Sequence, residues 1–267
     1  MSTTIAGAAR IAAAFGKPGR RAALMPYLMG GFPDRDRSLA VGEAYADGGA
    51  DLVELGVPYS DPLADGPVVQ AAGTRALRAG ATVDGVLGVC EALAPRLPVV
   101  VMVYANVVYA RGIDTFATAL RDAGASGLIV PDLPMEEAPL VLAACDAAGI
   151  ALVPLAAPTS PDERLGRIGA RARGFLYTVS VTGTTGERAA LEDSFRPIVQ
   201  RAKAHTEVPV ALGFGISTPA QARAAADAGA DGVIVGSRLV RAAAEHADDP
   251  AAAVRELVSG LAAGLDA

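Results

Sequence analysis

Asp122-Ala-Gly-Ala-Ser-Gly-Leu-Ile-Val130 is a phrase that the chain writes four times with small changes. Its variants are Ala46-Asp-Gly-Gly-Ala-Asp51-Leu-Val-Glu54, Asp146-Ala-Ala-Gly-Ile-Ala-Leu-Val153 and Asp227-Ala-Gly-Ala-Asp-Gly-Val-Ile-Val235. In each, small residues that end a helix run into a glycine suited to a left-handed cap, and a short apolar run follows. A run without polar alternation suits a strand covered on both faces, as in a parallel sheet. Similar runs at 22–28, 99–103, 174–179 and 208–212 bring the strands to eight, each followed by a helical pattern. Eight βα units in an unbroken series predict an α/β fold, a closed (β/α)8 TIM barrel. No linker or low-complexity segment divides residues 1–267, which predicts a single domain.

The chain has 267 residues, a size that α/β barrels reach as one domain while burying about three quarters of the unfolded surface. Hydrophobic residues make up 52%, mostly Ala and Val, and no apolar run reaches the length that spans a bilayer. A net charge of −6 without a basic stripe argues against a nucleic-acid surface and towards small molecules or proteins as partners. Cys90 and Cys145 stand in apolar helical stretches with no Cys or His at metal spacing, so both read as reduced core residues of a cytoplasmic protein, and no metal site is expected. Ahead of Asp34, the first acidic residue, the Ser/Thr/Ala/Arg character faintly resembles an organellar leader. The stronger reading is an additional N-terminal helix, with Ile5, Ala9, Ala12 and Phe15 on one face covering an end of the core. His205 and His246 fall in or beside late helices, as solvated or packed side chains.

Function in such a barrel lies at the carboxyl ends of the strands. There the second strand carries Glu54 among Leu52, Val53 and Leu55, and a carboxylate facing inward at that point is desolvated, which raises its pKa and suits it to proton transfer. The loop beyond it, Val57-Pro58-Tyr-Ser-Asp61-Pro-Leu-Ala-Asp65-Gly-Pro67, supplies a second carboxylate in polar surroundings, although local grammar alone makes Asp61 and Asp65 turn formers. Other loops at the same mouth are Tyr104-Ala-Asn106, Pro131-Asp132-Leu-Pro134 and Ser180-Val-Thr-Gly183-Thr-Thr185-Gly186. Gly213-Phe214-Gly215-Ile-Ser217 and Gly236-Ser237 end the last two strands, where glycine lets backbone amides approach an anion at a helix amino end. Each motif alone serves equally as a turn; together with Gly183 and Gly186 they predict a phosphate site built from amides, Ser237 and a helix dipole, since no Lys or Arg stands within them. Aromatic residues are only 4% of the chain, yet Tyr27, Tyr104, Tyr177 and Phe214 all fall at strand ends, as walls of an apolar slot or as barrel packing. The polar, glycine-punctuated segment 180–192 reads as a lid, with Arg188 as an exposed tryptic site, or as an idle surface loop.

The run from Glu54 to Pro67 resembles the signature of the tryptophan synthase alpha subunit family, and Met102-Val-Tyr104-Ala-Asn106, Gly183-Thr-Thr-Gly186, Gly213-Phe-Gly-Ile-Ser217 and Gly236-Ser237 follow in the family's order across nearly the whole chain. The resemblance implies a lyase of tryptophan biosynthesis, which cleaves indole-3-glycerol phosphate to indole and glyceraldehyde 3-phosphate without metal or organic cofactor. By the same resemblance Glu54 is the general acid/base and Asp65 the carboxylate that accepts the indole N–H. Tyr104 and Tyr177 flank the ring and glycerol, Tyr177 near Glu54, and Tyr27 is a further substrate-binding residue. Thr185, Gly186, Gly213, Phe214, Gly215, Gly236 and Ser237 complete substrate binding. Pro58, Asp61, Asn106 and Pro134 face a beta subunit, which carries the pyridoxal phosphate in an α2β2 complex. Two departures from the common family pattern stand out: Met29 where many relatives have Thr, and Val181 where others have Arg.

Two rival functions are weighed beside this one. Another phosphosugar barrel, an isomerase or epimerase, shares the anion site but lacks the run from Glu54 to Pro67. A ligand-sensing subunit without catalysis needs neither Glu54 nor Asp65 as a matched pair.

Overall fold

The computed structural model describes residues 6–179, 188–213 and 215–267. From the amino end the elements are α1 (Ala6–Phe15), β1 (Ala23–Met29), α2 (Arg35–Asp47), β2 (Val53–Gly56), α3 (Pro67–Arg78), α4 (Val83–Leu93) and β3 (Val99–Met102). They continue with α5 (Ala105–Arg111), α6 (Ile113–Asp122), β4 (Gly127–Ile129), α7 (Pro139–Ala148), β5 (Ala151–Val153), β6 (Leu155–Ala156), α8 (Asp162–Gly169) and β7 (Leu176–Val179). The last are α9 (Arg188–Lys203), β8 (Val210–Gly213), α10 (Pro219–Asp227), β9 (Gly232–Val235), α11 (Ser237–Glu245) and α12 (Pro250–Gly264).

All eight sequence-predicted strands are present, and the glycine of each repeated phrase has the left-handed backbone the reading required: φ is +93° at Gly49, +74° at Gly124, +80° at Gly149 and +100° at Gly229. The strands pair in parallel in the order β5-β4-β3-β2-β1-β9-β8-β7-β6. The two ends of that order, β5 and β6, are one stretch of chain broken only at Pro154, which has no N–H to give to a ladder. Before the proline the stretch pairs with β4; after it with β7, whose Tyr177 N–H also donates to the Pro154 carbonyl at 3.1 Å. The barrel closes through this residue. Stagger is visible in β1, where residues 23–26 pair with β9 and residues 27–29 with β2.

Alternate strand residues face inward. Ala23, Met25, Leu52, Val100, Ile129, Val153, Phe175, Ala211 and Ile234 fill the interior, while Leu24, Leu28, Val53, Leu55, Val99 and Val101 pack beneath the helical shell. Cys90 and Cys145 are free and buried, and burial pushes both thiols up to about 12. Among the described residues no helix is long and apolar enough to cross a membrane, and no group of three or more His, Cys, Asp or Glu is arranged to hold a metal ion.

The N-terminal helix exists, but its buried face differs from the sequence expectation. Ile11 and Gly7 are buried, Phe15 is half-buried, and Ala9 and Ala12 are exposed; Ile5 lies outside the described residues. The cause is a close approach: the Gly7 N–H donates to the Gly149 carbonyl at 2.9 Å, and a Cβ on Gly7 would fall 1.9 Å from the Ser126 oxygen. With α1 pressed there, Ile11 becomes the plug in the barrel floor beside Phe175 and Ala151. Of the predicted lid, residues 188–192 are the first turns of α9, so the expected boundary is too long; residues 180–187, with Val181, Thr185 and Gly186, lie outside the described residues, as does Phe214.

Candidate active site

Glu54 sits one turn of the pleat before the carboxyl end of β2, opposite Tyr27 of β1 in register. Its strand neighbours pack outward, so the parity of the pleat sends its carboxylate into the barrel, where it is only 2% exposed. Among the described residues no hydrogen bond holds that carboxylate and no cation faces it. Burial, and secondarily the nearby Asp65, raise its pKa to about 8. Tyr27 and Tyr177, also buried, stand beside it, and both phenols are raised well above their ordinary value, chiefly by burial.

Two glycines explain how both rings fit. A Cβ on Gly56 would lie 2.0 Å from the Tyr27 hydroxyl, and one on Gly213 would lie 2.6 Å from the Tyr177 ring and hydroxyl. Each tyrosine leans over the last residue of the neighbouring strand, β1 over β2 and β7 over β8, and only glycine leaves the space. The sequence reading gave Gly213 to anion binding; the structure adds a steric reason for glycine there. Met29 places its sulfur 3.9 Å from the Tyr27 hydroxyl, so this departure from the family pattern fills the space behind the slot.

Asp65 lies in the loop between β2 and α3 and is half-buried rather than solvated as its polar sequence context suggests. Burial pushes its carboxyl upward, and a hydrogen bond with the Tyr104 hydroxyl opposes the rise. That hydroxyl also accepts the Ala64 N–H at 2.9 Å, and the Tyr104 ring stacks on Tyr59 with centroids 5.0 Å apart. Tyr104 is therefore the post to which the loop is tied, 2% exposed; its own hydroxyl is pushed up to about 12. Tyr59, within the quoted motif, escaped notice because its partner is 45 residues away in sequence.

A cavity of about 610 Å³ opens at the mouth. Tyr27, Glu54, Asp65, Met102, Ile129, Leu155, Tyr177 and Ile234 line its deep end, and Gly215, Ser217, Gly236 and Ser237 line the other. Gly236 caps α11, so the first amides of that helix, which have no partner within it, head this end. Gly215 has φ +78°. The Ser217 hydroxyl donates at 2.8 Å to the side chain of Gln221, which forms the capping box of α10 with Thr218. Arg238 and Arg241 also border this end, although neither stands inside a glycine motif and sequence reading passed over both. Of the residues assigned to a partner face, Asp61, Asn106 and Pro134 are exposed at the mouth, whereas Pro58 is buried under the loop near Gly73 of α3. His205 lies 3.7 Å from Asp162 and His246 ends α11; neither borders the cavity.

A closed parallel barrel with two carboxylates facing a mostly apolar cleft at its carboxyl mouth defines a barrel enzyme equipped for acid–base chemistry. Residues 14–263 match the model of the family described as tryptophan synthase alpha chain. A tryptophan synthase alpha chain of Prochlorococcus marinus is 50% identical over 223 residues, 83% of this chain and 81% of that protein. Among solved structures, a chain of Mycobacterium tuberculosis tryptophan synthase superposes with TM-score 0.88 at 41% identity, covering 97% of this chain and 98% of that one. A chain of the Pyrococcus furiosus tryptophan synthase α2β2 complex gives 0.85 at 35% identity, covering 91% and 98%. The chain belongs to the tryptophan synthase alpha chain family. The activity of that family is the retro-aldol cleavage of indole-3-glycerol phosphate to indole and glyceraldehyde 3-phosphate in tryptophan biosynthesis.

Proposed function

We propose that Glu54 and Asp65 carry this cleavage, and the observation that supports it above others is a carboxylic acid buried in the barrel interior and facing one cavity with a second carboxylate, its pKa raised by that burial to about 8. Near neutral pH Glu54 holds its proton. It donates that proton to C3 of the indole, which turns the ring into an electron sink, and the carboxylate so formed takes the proton of the adjacent glycerol hydroxyl. As the hydroxyl becomes a carbonyl, the bond from C3 to the glycerol carbon breaks and its electron pair restores the indole ring. One proton has gone onto C3 and one has returned to Glu54, so nothing is consumed. Asp65, anchored by Tyr104, accepts the indole N–H while that nitrogen is electron-poor. Tyr27 and Tyr177 enclose the ring, and the glycine turns at Gly215 and Gly236, with Ser237, hold the phosphate. In the same reading Thr185 and Gly186 close over the substrate, Phe214 walls the slot, and Gly213 contributes its backbone to the phosphate end.

The chain works as one cytoplasmic domain beside a beta subunit in an α2β2 complex. Support comes from large apolar side chains left in water near the mouth: Leu63 is 85% exposed and Leu140 71%, with Tyr109 also exposed, alongside Asp61, Asn106 and Pro134. Pyridoxal phosphate belongs to that partner. Among the described residues no lysine borders this cavity, so the amine that such an aldehyde requires is lacking here.

The test is release of glyceraldehyde 3-phosphate from indole-3-glycerol phosphate, by the chain alone and with beta subunit. Asp65→Asn is expected to lower the rate about a hundredfold or more, with the beta subunit accelerating the wild type. Absence of release from the wild type in both conditions would overturn the assignment. Tyr104→Phe keeps the ring on Tyr59 but removes the hydroxyl that holds Asp65 down in pKa. Its rate is expected to fall about tenfold, with the acidic limb of the pH–rate profile displaced to higher pH. An unmoved limb would detach Tyr104 from Asp65.

A further inference from the structure

We infer that Arg238, supported by Arg241, grips the phosphoryl group of the substrate with its guanidinium, adding a side-chain cation to a site that the glycine motifs alone would leave to backbone amides. The inference rests on the phosphate end of the cleft proposed above. Both residues border the cavity at that end, beside Gly215, Gly236 and Ser237, and their spacing of three places them on one face of α11. Among the described residues the carboxylates that border the cavity, Glu54 and Asp65, belong to its opposite, aromatic end. Among the described residues neither arginine makes an ion pair or hydrogen bond. Arginines elsewhere on the shell do, as Arg111 with Asp84, Arg164 with Glu136 and Arg201 with Asp162.

The charge pattern of α11 is a second, independent observation. A helix favours acidic side chains in its first turn and basic ones in its last. This helix has no acidic residue in its first turn and no basic residue in its last, yet carries arginine at its second and fifth positions, close to the positive end of its dipole. Two unpaired cations there oppose the stability of the helix, and an anion bound between them and the leading amides reverses the sign of the interaction. Arg238 also borders the groove that contains Glu245, Asp249 and Glu256, yet it pairs with none of these carboxylates. Arginine suits the role because its planar fork meets two phosphate oxygens at once.

The experiment measures binding of glyceraldehyde 3-phosphate, inorganic phosphate and indole to the full chain by calorimetry, with steady-state cleavage alongside. Arg238→Ala is expected to weaken both phosphorylated probes tenfold or more, to raise KM with kcat changed less than threefold, and to leave indole binding alone. Arg238→Lys should recover part of the loss, and Arg241→Ala should weaken the same probes by a smaller factor. Thermal unfolding serves as the control, since loss of a cation near a helix amino end should not lower Tm. Unchanged Kd and KM in the Arg238→Ala, Arg241→Ala double variant would overturn the inference while leaving the lyase reading intact. Conversely, wild-type protein that binds both phosphorylated probes through these arginines yet never cleaves indole-3-glycerol phosphate would sustain the contact and remove the lyase reading.

Discussion

Glu54→Gln is expected to slow cleavage by about 10²–10⁴-fold while making the protein more stable at pH 8. The two effects have one cause. Glu54 is 2% exposed and its pKa is raised to about 8, chiefly by burial, from an ordinary value of 4.5. Below pH 4.5 the folded and unfolded chains both hold the proton, so the residue makes no pH-dependent contribution. Between pH 4.5 and 8 the unfolded chain releases the proton and the folded chain keeps it, so each unit of rising pH favours unfolding by about 1.4 kcal/mol, until the folded form also ionises. Glutamine has the shape of the protonated acid and no titration, which removes the loss. Thermal unfolding of both proteins across pH 4–9 checks this: the difference in Tm should be small at the acid end and widen towards pH 8, the other carboxylates cancelling between the two curves. A difference independent of pH would show that Glu54 does not hold its proton in the folded state, and with it the acid role would go.

A stabilising substitution at the position proposed for the acid follows from the location, since a barrel interior built of Met25, Leu52, Val100 and Ile129 gains no stability from a carboxylate. The sequence made this legible because a Glu inside an apolar strand leaves two choices, and strand parity settles which. The eight strands were legible for a similar reason: their signals are local, an apolar run behind a glycine that must be left-handed. What escaped the reading is non-local or silent. Gly7 has no side chain to mark a buried helix face, yet it makes the closest approach of α1 to the barrel floor. Gly56 and Gly213 look like turn residues until the tyrosines of neighbouring strands are seen leaning over them. Tyr104 reads as a wall of the slot because it ends a strand, and only the path of the 57–66 loop reveals it as an anchor. Arg238 lies just outside the quoted Gly236-Ser237 motif, and its direction depends on where α11 begins.

The same strand region carries a second acid, three residues earlier, with the opposite fate. Asp51 stands ahead of β2, at the floor of the barrel, and its side chain is fully buried. Lys17 meets it at 2.8 Å and the Arg20 Nε at 3.3 Å, and the Leu24 N–H donates to it at 2.9 Å. Lys17 is half exposed and adds little. Arg20 is the centre of the arrangement: 9% exposed, it also donates to the carbonyls of Ala262 at 2.6 Å and Gly49 at 2.7 Å, and pairs with Asp266. One guanidinium thus ties β1, the turn before β2 and the end of α12 together. Asp51→Ala removes the buried anion and leaves both Arg20 and the Leu24 amide short of a partner, which is expected to cost about 3–5 kcal/mol. Asp51→Asn retains an acceptor for the amide and should lose less, the gap between the two variants measuring the hydrogen bond apart from the charge. Urea unfolding followed by circular dichroism reads both losses as shifts in midpoint at constant slope. Because the floor lies at the far end of the barrel from the mouth, KM for indole-3-glycerol phosphate should stay within about twofold in whatever fraction remains folded. A loss under about 1 kcal/mol for Asp51→Ala would mean that water already reaches the pair, and that the amino and carboxyl ends of the barrel are held by packing alone.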